Sequence, residues 1–178
     1  VYKERSYTYN DITQYNRNHL LREDDSVDGL KTGYTSVAGY GLVASAKREG
    51  MRLISVVMGS SSTSSRKSET RSLLNYGFRF YETATPLRGG AELTQGRVWK
   101  GHAPQVALGV TTDVMLTLPR STAEITSSVE IDGPLIAPLK AGDVVGRVIL
   151  TRAGESVGEA PLEVLRSVEP AGFFARLW

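Results

Sequence analysis

The chain has 178 residues, of which 40% are apolar, so one large domain or two small ones with packed cores can form. Its net charge is +2, with lysine and arginine spread along the chain, which argues against a nucleic-acid partner. The absence of cysteine excludes disulfides, thiolate metal sites and a cysteine nucleophile. The two histidines, His19 and His102, lie far apart and near no acidic cluster, so we expect no metal, no cofactor and no Ser-His-Asp triad.

The first part of the chain predicts an antiparallel sheet of three strands. A short segment bounded by glycines, residues 29–35, is predicted to be a strand, and the apolar segments 38–46 and 51–58 are predicted to form a hairpin. Gly50, at the turn, can adopt the positive φ that a tight hairpin often requires. Because both hairpin strands are apolar nearly throughout, we expect helices on both faces of the sheet.

One covering helix is predicted at residues 66–81, after a serine-rich loop. Its apolar stripe comprises Leu73, Leu74, Gly77, Phe78 and Tyr81. Its polar face comprises Arg66, Lys67, Glu69 and Arg71. We expect Ser64 or Ser65 to cap its N-terminus.

The composition changes near residues 81–86, where we place a boundary between residues 1–82 and a small β-rich C-terminal domain of residues 83–178. Strands in this second part are predicted at residues 98–99, 105–110, 114–118, 124–131, 144–151 and 162–168. The predicted fold class is α+β.

The tripeptide Lys31-Thr32-Gly33 becomes specific through its flanks, since alone it occurs by chance in roughly a few per cent of chains this long. The flanks are Tyr-Asn-Arg-Asn at 15–18, Val-Asp-Gly-Leu at 27–30, Ala-Gly-Tyr at 38–40, Val-Ala-Ser-Ala at 43–46 and the strand at 51–59. Together they closely resemble the D-alanyl-D-alanine carboxypeptidases, the low-molecular-mass penicillin-binding proteins of the DacA type. The likeness extends over residues 76–82 and, more loosely, over the β-rich part. It implies the C-terminal part of a penicillin-recognising transpeptidase-like domain followed by the β-domain.

The resemblance implies an enzyme of the bacterial periplasm, peripheral to the inner membrane, that removes the terminal D-Ala from the peptidoglycan stem pentapeptide. The reaction would pass through an acyl-serine intermediate, and β-lactam antibiotics would acylate the same serine. In the family the catalytic strand and the oxyanion N–H correspond by position to Lys31, Thr32, Gly33 and Tyr34. Substrate contacts are implied for Lys31, Thr32, Thr35, Arg66 and Arg17.

The nucleophile is missing, because neither Ser-x-x-Lys nor Ser-x-Asn occurs before Lys31, where the family has them. A literal Ser-x-x-Lys at Ser64 to Lys67 lies downstream of the motif. Its polar surroundings give the lysine no reason to lose its proton, so we interpret it as part of a helix cap. We therefore expect a longer protein whose N-terminal half supplies both elements, and no activity from these residues alone.

Two other functions stay open at this point. One is a class A β-lactamase-like hydrolase, although such enzymes are single-domain and end with a helix. The other is a non-catalytic module that binds the cell wall or acts as a scaffold. The C-terminal side chains also have two interpretations, closure of the β-domain or the start of an amphipathic helix that contacts the inner membrane. These side chains are Phe173, Phe174, Leu177 and Trp178.

Overall fold

The computed structural model describes residues 1–172, which fall into two compact units, one formed by Val1–Thr83 and one that begins at Ala84. The α+β class is confirmed, with strands in both units and helices in the first. Within residues 1–172 no helix is long and apolar enough to cross a membrane. The C-terminal aromatic side chains discussed above lie outside the described residues.

The first unit contains the predicted three-stranded antiparallel sheet, in the order β3-β4-β5. Its elements are β1 (Ser6–Tyr9), β2 (Ile12–Tyr15), α1 (Leu20–Glu23), β3 (Val27–Thr35), β4 (Gly39–Arg48), β5 (Met51–Ser60) and α2 (Thr63–Phe80). Strands β1 and β2 form a separate two-stranded hairpin that the sequence analysis did not predict. Its turn residues Asn10 and Asp11 both have positive φ, 49° and 57°, and this dipeptide was the available sequence signal.

The turn between β4 and β5 confirms the hairpin prediction. Arg48 pairs with Met51, so the loop has two residues, Glu49 at φ 48° and Gly50 at φ 84°. Two consecutive positive φ values match the type I′ geometry that suits the right-handed twist of paired strands. The register of β4 against β5 is therefore fixed from this turn outward.

Helix α2 begins three residues earlier than predicted, and the predicted caps Ser64 and Ser65 are wrong. Ser62 is the N-cap, and its hydroxyl accepts a hydrogen bond of 3.0 Å from the backbone N–H of Ser65. The reason is backbone geometry, since Ser62 is extended (φ −154°) whereas the two later serines already lie within the helix. The helix ends at Phe80.

The buried face of α2 carries Arg66, Thr70 and Leu74, spaced four residues apart. Leu74 joins the core of the first unit, which also contains Leu20, Leu21, Val27, Leu42, Ala44 and Ala46. The prediction that Arg66 belongs to the polar face is therefore wrong, and Leu73 of the predicted apolar stripe is half exposed. Periodicity alone misplaced Arg66, because a charged side chain can be buried where fixed acceptors satisfy it.

The face of the sheet opposite α2 is open. Ile54, Val56 and Met58 of β5 have 62%, 57% and 77% of their surfaces exposed. Within residues 1–172 the expectation of cover on both faces is met on one face only. An apolar surface of this kind is typical of a contact with further polypeptide.

The second unit is built on a six-stranded sheet in the order β10-β12-β13-β8-β7-β11, antiparallel except for the β7–β11 pair. Strands β6 and β9 form a further two-stranded sheet. The elements are β6 (Tyr81–Leu87), β7 (Glu92–Trp99), β8 (Gln105–Gly109), β9 (Val114–Pro119), β10 (Ile125–Ile131), β11 (Leu135–Ile136), β12 (Val144–Arg152) and β13 (Glu155–Val164). The fully buried core comprises Leu108, Val148, Leu150, Leu162 and Val164.

Two strand predictions in this unit are wrong in extent. Strand β7 begins at Glu92, well before the predicted residues 98–99. The strand predicted at 162–168 is the end of β13, which begins at Glu155 and stops at Val164. Beyond that point the chain leaves the sheet, and Val168 makes only an isolated bridge to Leu139.

The close approach of backbone at Gly109 generates a stability prediction. A Cβ at this position would overlap the carbonyl oxygen of Ala91. This oxygen is a backbone atom, so it cannot rotate away as the end of a side chain can. We expect Gly109→Ala to destabilise the second unit by about 1–3 kcal/mol, as overpacked cores do. Thermal unfolding followed by circular dichroism measures this, with Gly133→Ala as the control, because a Cβ at Gly133 meets no atom within 4 Å. Equal midpoints for the two variants would contradict it.

Candidate active site

Strand β3 places the Lys31-Thr32-Gly33 motif at the edge of the sheet. In the described part of the chain β3 pairs with β4 alone, through Lys31↔Val43, Thr32↔Leu42 and Gly33↔Gly41. The opposite edge of β3 therefore offers backbone groups to an extended peptide, which can add to the sheet as a further strand.

The two side chains of the motif lie on opposite faces of the sheet, because neighbouring residues of a strand alternate. Thr32 shares the α2 face with its buried partner Leu42, while Lys31 lies on the open face opposite Val43. The Lys31 side chain is exposed, and its Nζ donates to the backbone carbonyl of Thr32 at 2.8 Å. The positive charge of Lys31 is therefore available to a group that approaches this edge.

Gly33 places no side chain at the edge of β3. A Cβ at this position would meet no atom within 4 Å, so packing among residues 1–172 does not require glycine here. Its backbone is ordinary strand, without the positive φ that would demand glycine. What glycine provides is clearance for a chain that lies against the strand.

Arg66 connects α2 to this strand. Its side chain is buried, with Nη1 donating to the carbonyl oxygens of Gly33 (3.2 Å) and Gly41 (3.3 Å) and Nη2 donating to that of Arg17 (3.2 Å). Burial lowers the pKa of Arg66 from its usual value, yet arginine stays protonated in proteins. The guanidinium is thus a fixed cation beside the motif.

The backbone of Arg17 is brought to the same place through its neighbour Asn18. The Asn18 side chain is almost fully buried, and its amide donates to the carbonyl of Gly29 at 3.2 Å while its Oδ1 accepts from the N–H of Leu20. The Arg17 side chain itself is exposed. Asn18 was missed by the sequence analysis, although a lone amide just before the apolar pair Leu20-Leu21 is a usable signal.

The turn after the motif engages two further residues. Thr35 accepts a hydrogen bond of 2.9 Å from the N–H of Ala38 through its hydroxyl, which gives that side chain a structural task. The ring of Tyr34 stacks on that of Tyr40 with centroids 4.3 Å apart, and the Arg66 guanidinium lies 5.7 Å from the Tyr40 ring. The predicted residues Gly33, Tyr34, Arg66 and Arg17 are therefore grouped, through backbone as much as side chains.

The alternative Ser64-to-Lys67 match lies on α2, where Lys67 forms an ion pair with Glu23. Its Nζ donates to Glu23 Oε1 at 2.7 Å, and Arg71 binds the other oxygen of the same carboxylate. These two donors lower the pKa of Glu23 to about 2. The Lys67 side chain is thus engaged in a structural ion pair, which argues against a catalytic role for this match.

Two other carboxylates near the sheet also make structural contacts. Glu69 accepts from the hydroxyls of Ser60 (2.5 Å) and Ser65 (2.6 Å) at the start of α2, while Asp24 pairs with Arg48. Within residues 1–172 no group of three or more histidine, aspartate or glutamate side chains could hold a metal ion.

Comparisons with known proteins identify the family of this chain. Residues 1–62 match the family model described as D-alanyl-D-alanine carboxypeptidase, and residues 81–170 match that of the penicillin-binding protein 5 C-terminal domain. The chain belongs to the D-alanyl-D-alanine carboxypeptidase family of penicillin-binding proteins. The resemblance inferred from the flanks of Lys31-Thr32-Gly33 is thereby confirmed.

Relatives in this family are similar over the whole chain. The D-alanyl-D-alanine carboxypeptidase DacC of Escherichia coli K12 is 44% identical over 100% of the chain, and DacA of the same strain is 43% identical over 99%. The structure of penicillin-binding protein 5 from Haemophilus influenzae superposes with a TM-score of 0.85 at 42% identity, over 94% of this chain and 50% of that one. The chain spans 45% of the length of both Escherichia coli relatives.

The ion pairs of Glu23 generate a prediction on pH dependence. Its pKa in the folded state, about 2, lies below the usual 4.5, so the ion pairs stabilise the fold above pH 4.5 and are lost as the pH falls from 4.5 towards 2. We expect Glu23→Gln to lower the thermal midpoint at pH 7 and to make its dependence on pH shallower in this window. Glu49→Gln, at an exposed hairpin position, is the control. Parallel pH profiles for wild type and Glu23→Gln would contradict the assignment.

Proposed function

We propose that this chain forms one wall of a serine D-Ala-D-Ala carboxypeptidase site, which releases the terminal D-Ala of the peptidoglycan pentapeptide through an acyl-serine. β-Lactams would acylate the same serine. The observation that carries the proposal is the edge position of Lys31-Thr32-Gly33, with an exposed lysine, a glycine without side-chain bulk and a strand edge that has no partner within residues 1–172. Membership of the carboxypeptidase family supports this chemistry.

Each residue of the wall has a role in this proposal. Lys31 supplies positive charge where negative charge develops during acylation. The hydroxyl of Thr32 and the cation of Arg66 lie on the same side of the sheet and favour the terminal carboxylate of the substrate. The N–H of Tyr34 completes an oxyanion hole, and Thr35 and the exposed Arg17 side chain border the substrate.

The opposite wall is proposed to come from further polypeptide of the same enzyme. Residues 1–82 are the C-terminal segment of the peptidase domain in this proposal, and the segment that carries Ser-x-x-Lys and Ser-x-Asn covers Ile54, Val56 and Met58. Two observations support it, the exposure of that apolar face and the greater length of the relatives. The same segment would place the nucleophile beside Lys31.

Residues 83–178 are proposed to be the β-rich C-terminal domain of an enzyme in the bacterial periplasm, peripheral to the inner membrane. The family match over residues 81–170 favours this arrangement over a class A β-lactamase, which has no such domain. A purely scaffolding role is disfavoured by the intact Lys-Thr-Gly edge.

Penicillin labelling tests whether the nucleophile comes from outside this chain. We expect a fluorescent penicillin to leave the 178-residue chain unlabelled, because it lacks the nucleophile, and to label the full-length enzyme at the serine of Ser-x-x-Lys. Denaturing gels and intact mass spectrometry measure both. Covalent labelling of the 178 residues, for example at Ser64, would contradict the proposal.

Removal of the Lys31 ammonium tests its role in the full-length enzyme. We expect Lys31→Ala to slow acylation by benzylpenicillin by about 10²–10³-fold, the range typical for loss of one electrostatic contact to the transition state. Lys47→Ala, another exposed lysine of the same sheet, should acylate at the wild-type rate. Stopped-flow fluorescence measures both, and equal rates for the two variants would refute the role of Lys31.

A further inference from the structure

The hydrogen bond from Arg66 to Gly33 reaches the same peptide unit that contains the proposed oxyanion donor. The carbonyl of Gly33 and the N–H of Tyr34 belong to one planar peptide bond, and in a trans peptide these two groups point in opposite directions. Arg66 Nη1 donates to the carbonyl at 3.2 Å. Any constraint on that carbonyl is therefore also a constraint on the N–H.

The orientation of the Gly33–Tyr34 peptide follows from the second acceptor of Arg66 Nη1, the carbonyl of Gly41. One nitrogen, Arg66 Nη1, bonds both the Gly33 and the Gly41 carbonyls, and these two residues are register partners on β3 and β4. The Gly33 carbonyl consequently lies on the β4 side of the strand. The Tyr34 N–H is turned to the unpaired edge of β3, where a substrate carbonyl would bind.

The guanidinium can also strengthen this N–H as a donor. A cation bonded to the carbonyl oxygen draws electron density through the amide, and hydrogen bonds in such a chain polarise one another. The effect is largest where water is excluded, and the Arg66 side chain is buried. The third bond, from Nη2 to the Arg17 carbonyl, fixes the guanidinium from the other side.

We propose that Arg66 is a positioning residue that orients and polarises the Gly33–Tyr34 peptide, so that its N–H stabilises the oxyanion. This inference rests on the proposed function and deepens it, because it assigns Arg66 an action through Tyr34 in addition to any attraction for the substrate carboxylate. The groups around the guanidinium include the three carbonyls, the Tyr40 ring and the positive charge of Arg17, and its hydrogen bonds all go to backbone.

The test uses Arg66→Lys and Arg66→Gln in the full-length enzyme, acylated with benzylpenicillin that carries a ¹³C-labelled β-lactam carbonyl. Lysine keeps the charge but cannot bridge three carbonyls in a planar fork, and glutamine removes the charge. We expect the infrared band of the acyl carbonyl to move to higher wavenumber in both variants, because a weaker oxyanion hole polarises the ester less. Enzyme that is unfolded before the reaction is not acylated, and spectra recorded well below each variant's thermal midpoint report the folded acyl-enzyme.

A matched control is Arg48→Lys. Arg48 also joins the sheet to α2, through Asn75, and donates to Ser26 and Asp24 before β3, but has no hydrogen bond to the motif within residues 1–172. We expect its acyl band to stay at the wild-type position even if its thermal midpoint falls. An equal shift in Arg48→Lys and Arg66→Lys would overturn the proposal by showing a general effect of loosening α2.

Acylation rates separate positioning from direct binding of the carboxylate. We expect the Arg66 variants to lose about tenfold in acylation rate with both benzylpenicillin and its methyl ester, which lacks the free carboxylate; loss of a whole donor costs about 10²–10³-fold. A loss confined to the free acid, with an unmoved infrared band, would overturn the inference and assign Arg66 to the carboxylate alone. Failure of the wild-type enzyme to be acylated would instead contradict the proposed function.

Discussion

The buried guanidinium of Arg66 is the contact on which the arrangement of the first unit depends. It joins four parts of the chain, namely α2, β3, β4 and the segment just before α1, through three backbone carbonyls. A buried cation is costly unless acceptors surround it, so each acceptor stabilises the guanidinium and is positioned by it in turn. The edge strand that carries Lys31-Thr32-Gly33 is thereby held at a defined place against the helix.

Contacts outside the motif extend this constraint. Asn18 ties the Arg17 segment to Gly29, near the beginning of the same strand, and Arg48 of β4 donates both to Asn75 of α2 and to Asp24. These polar contacts surround an apolar core that lies on one face of the sheet only. The sheet of the first unit is therefore packed on the face towards α2 and, within residues 1–172, exposed on the face where the proposed second wall would pack.

Much of the secondary structure could be predicted, because strands, turns and helices are signalled by residues close together in the sequence. Glycine-bounded and nearly continuous apolar segments, the turn at Gly50 and helical spacing predicted β3, β4, β5 and α2. The start of α2 was not predictable from composition, since any serine of the loop could cap and only the extended backbone of Ser62 decides. The burial of Arg66 was not predictable either, because its acceptors are backbone carbonyls distant in sequence.

The candidate site, like the fold, could be predicted from the sequence only in part. Its residues were selected by resemblance, because Lys-Thr-Gly alone is too short to be specific. Their grouping in space depends on long-range hydrogen bonds, which no periodicity reveals. Glu23 shows the converse case, because its ion pair with Lys67 argues against a nucleophile role for the literal Ser-x-x-Lys at Ser64.

The most direct test of the account is the accessibility of the open sheet face in the chain and in the full-length enzyme. The chain has no cysteine, so Val56→Cys introduces a single thiol at a position that is 57% exposed. Its rate of alkylation, followed by peptide mapping, should be fast in the 178-residue chain and strongly reduced in the full-length enzyme, where the second wall covers β5. Equal rates in the two proteins would contradict the proposal that further polypeptide completes the site on this face.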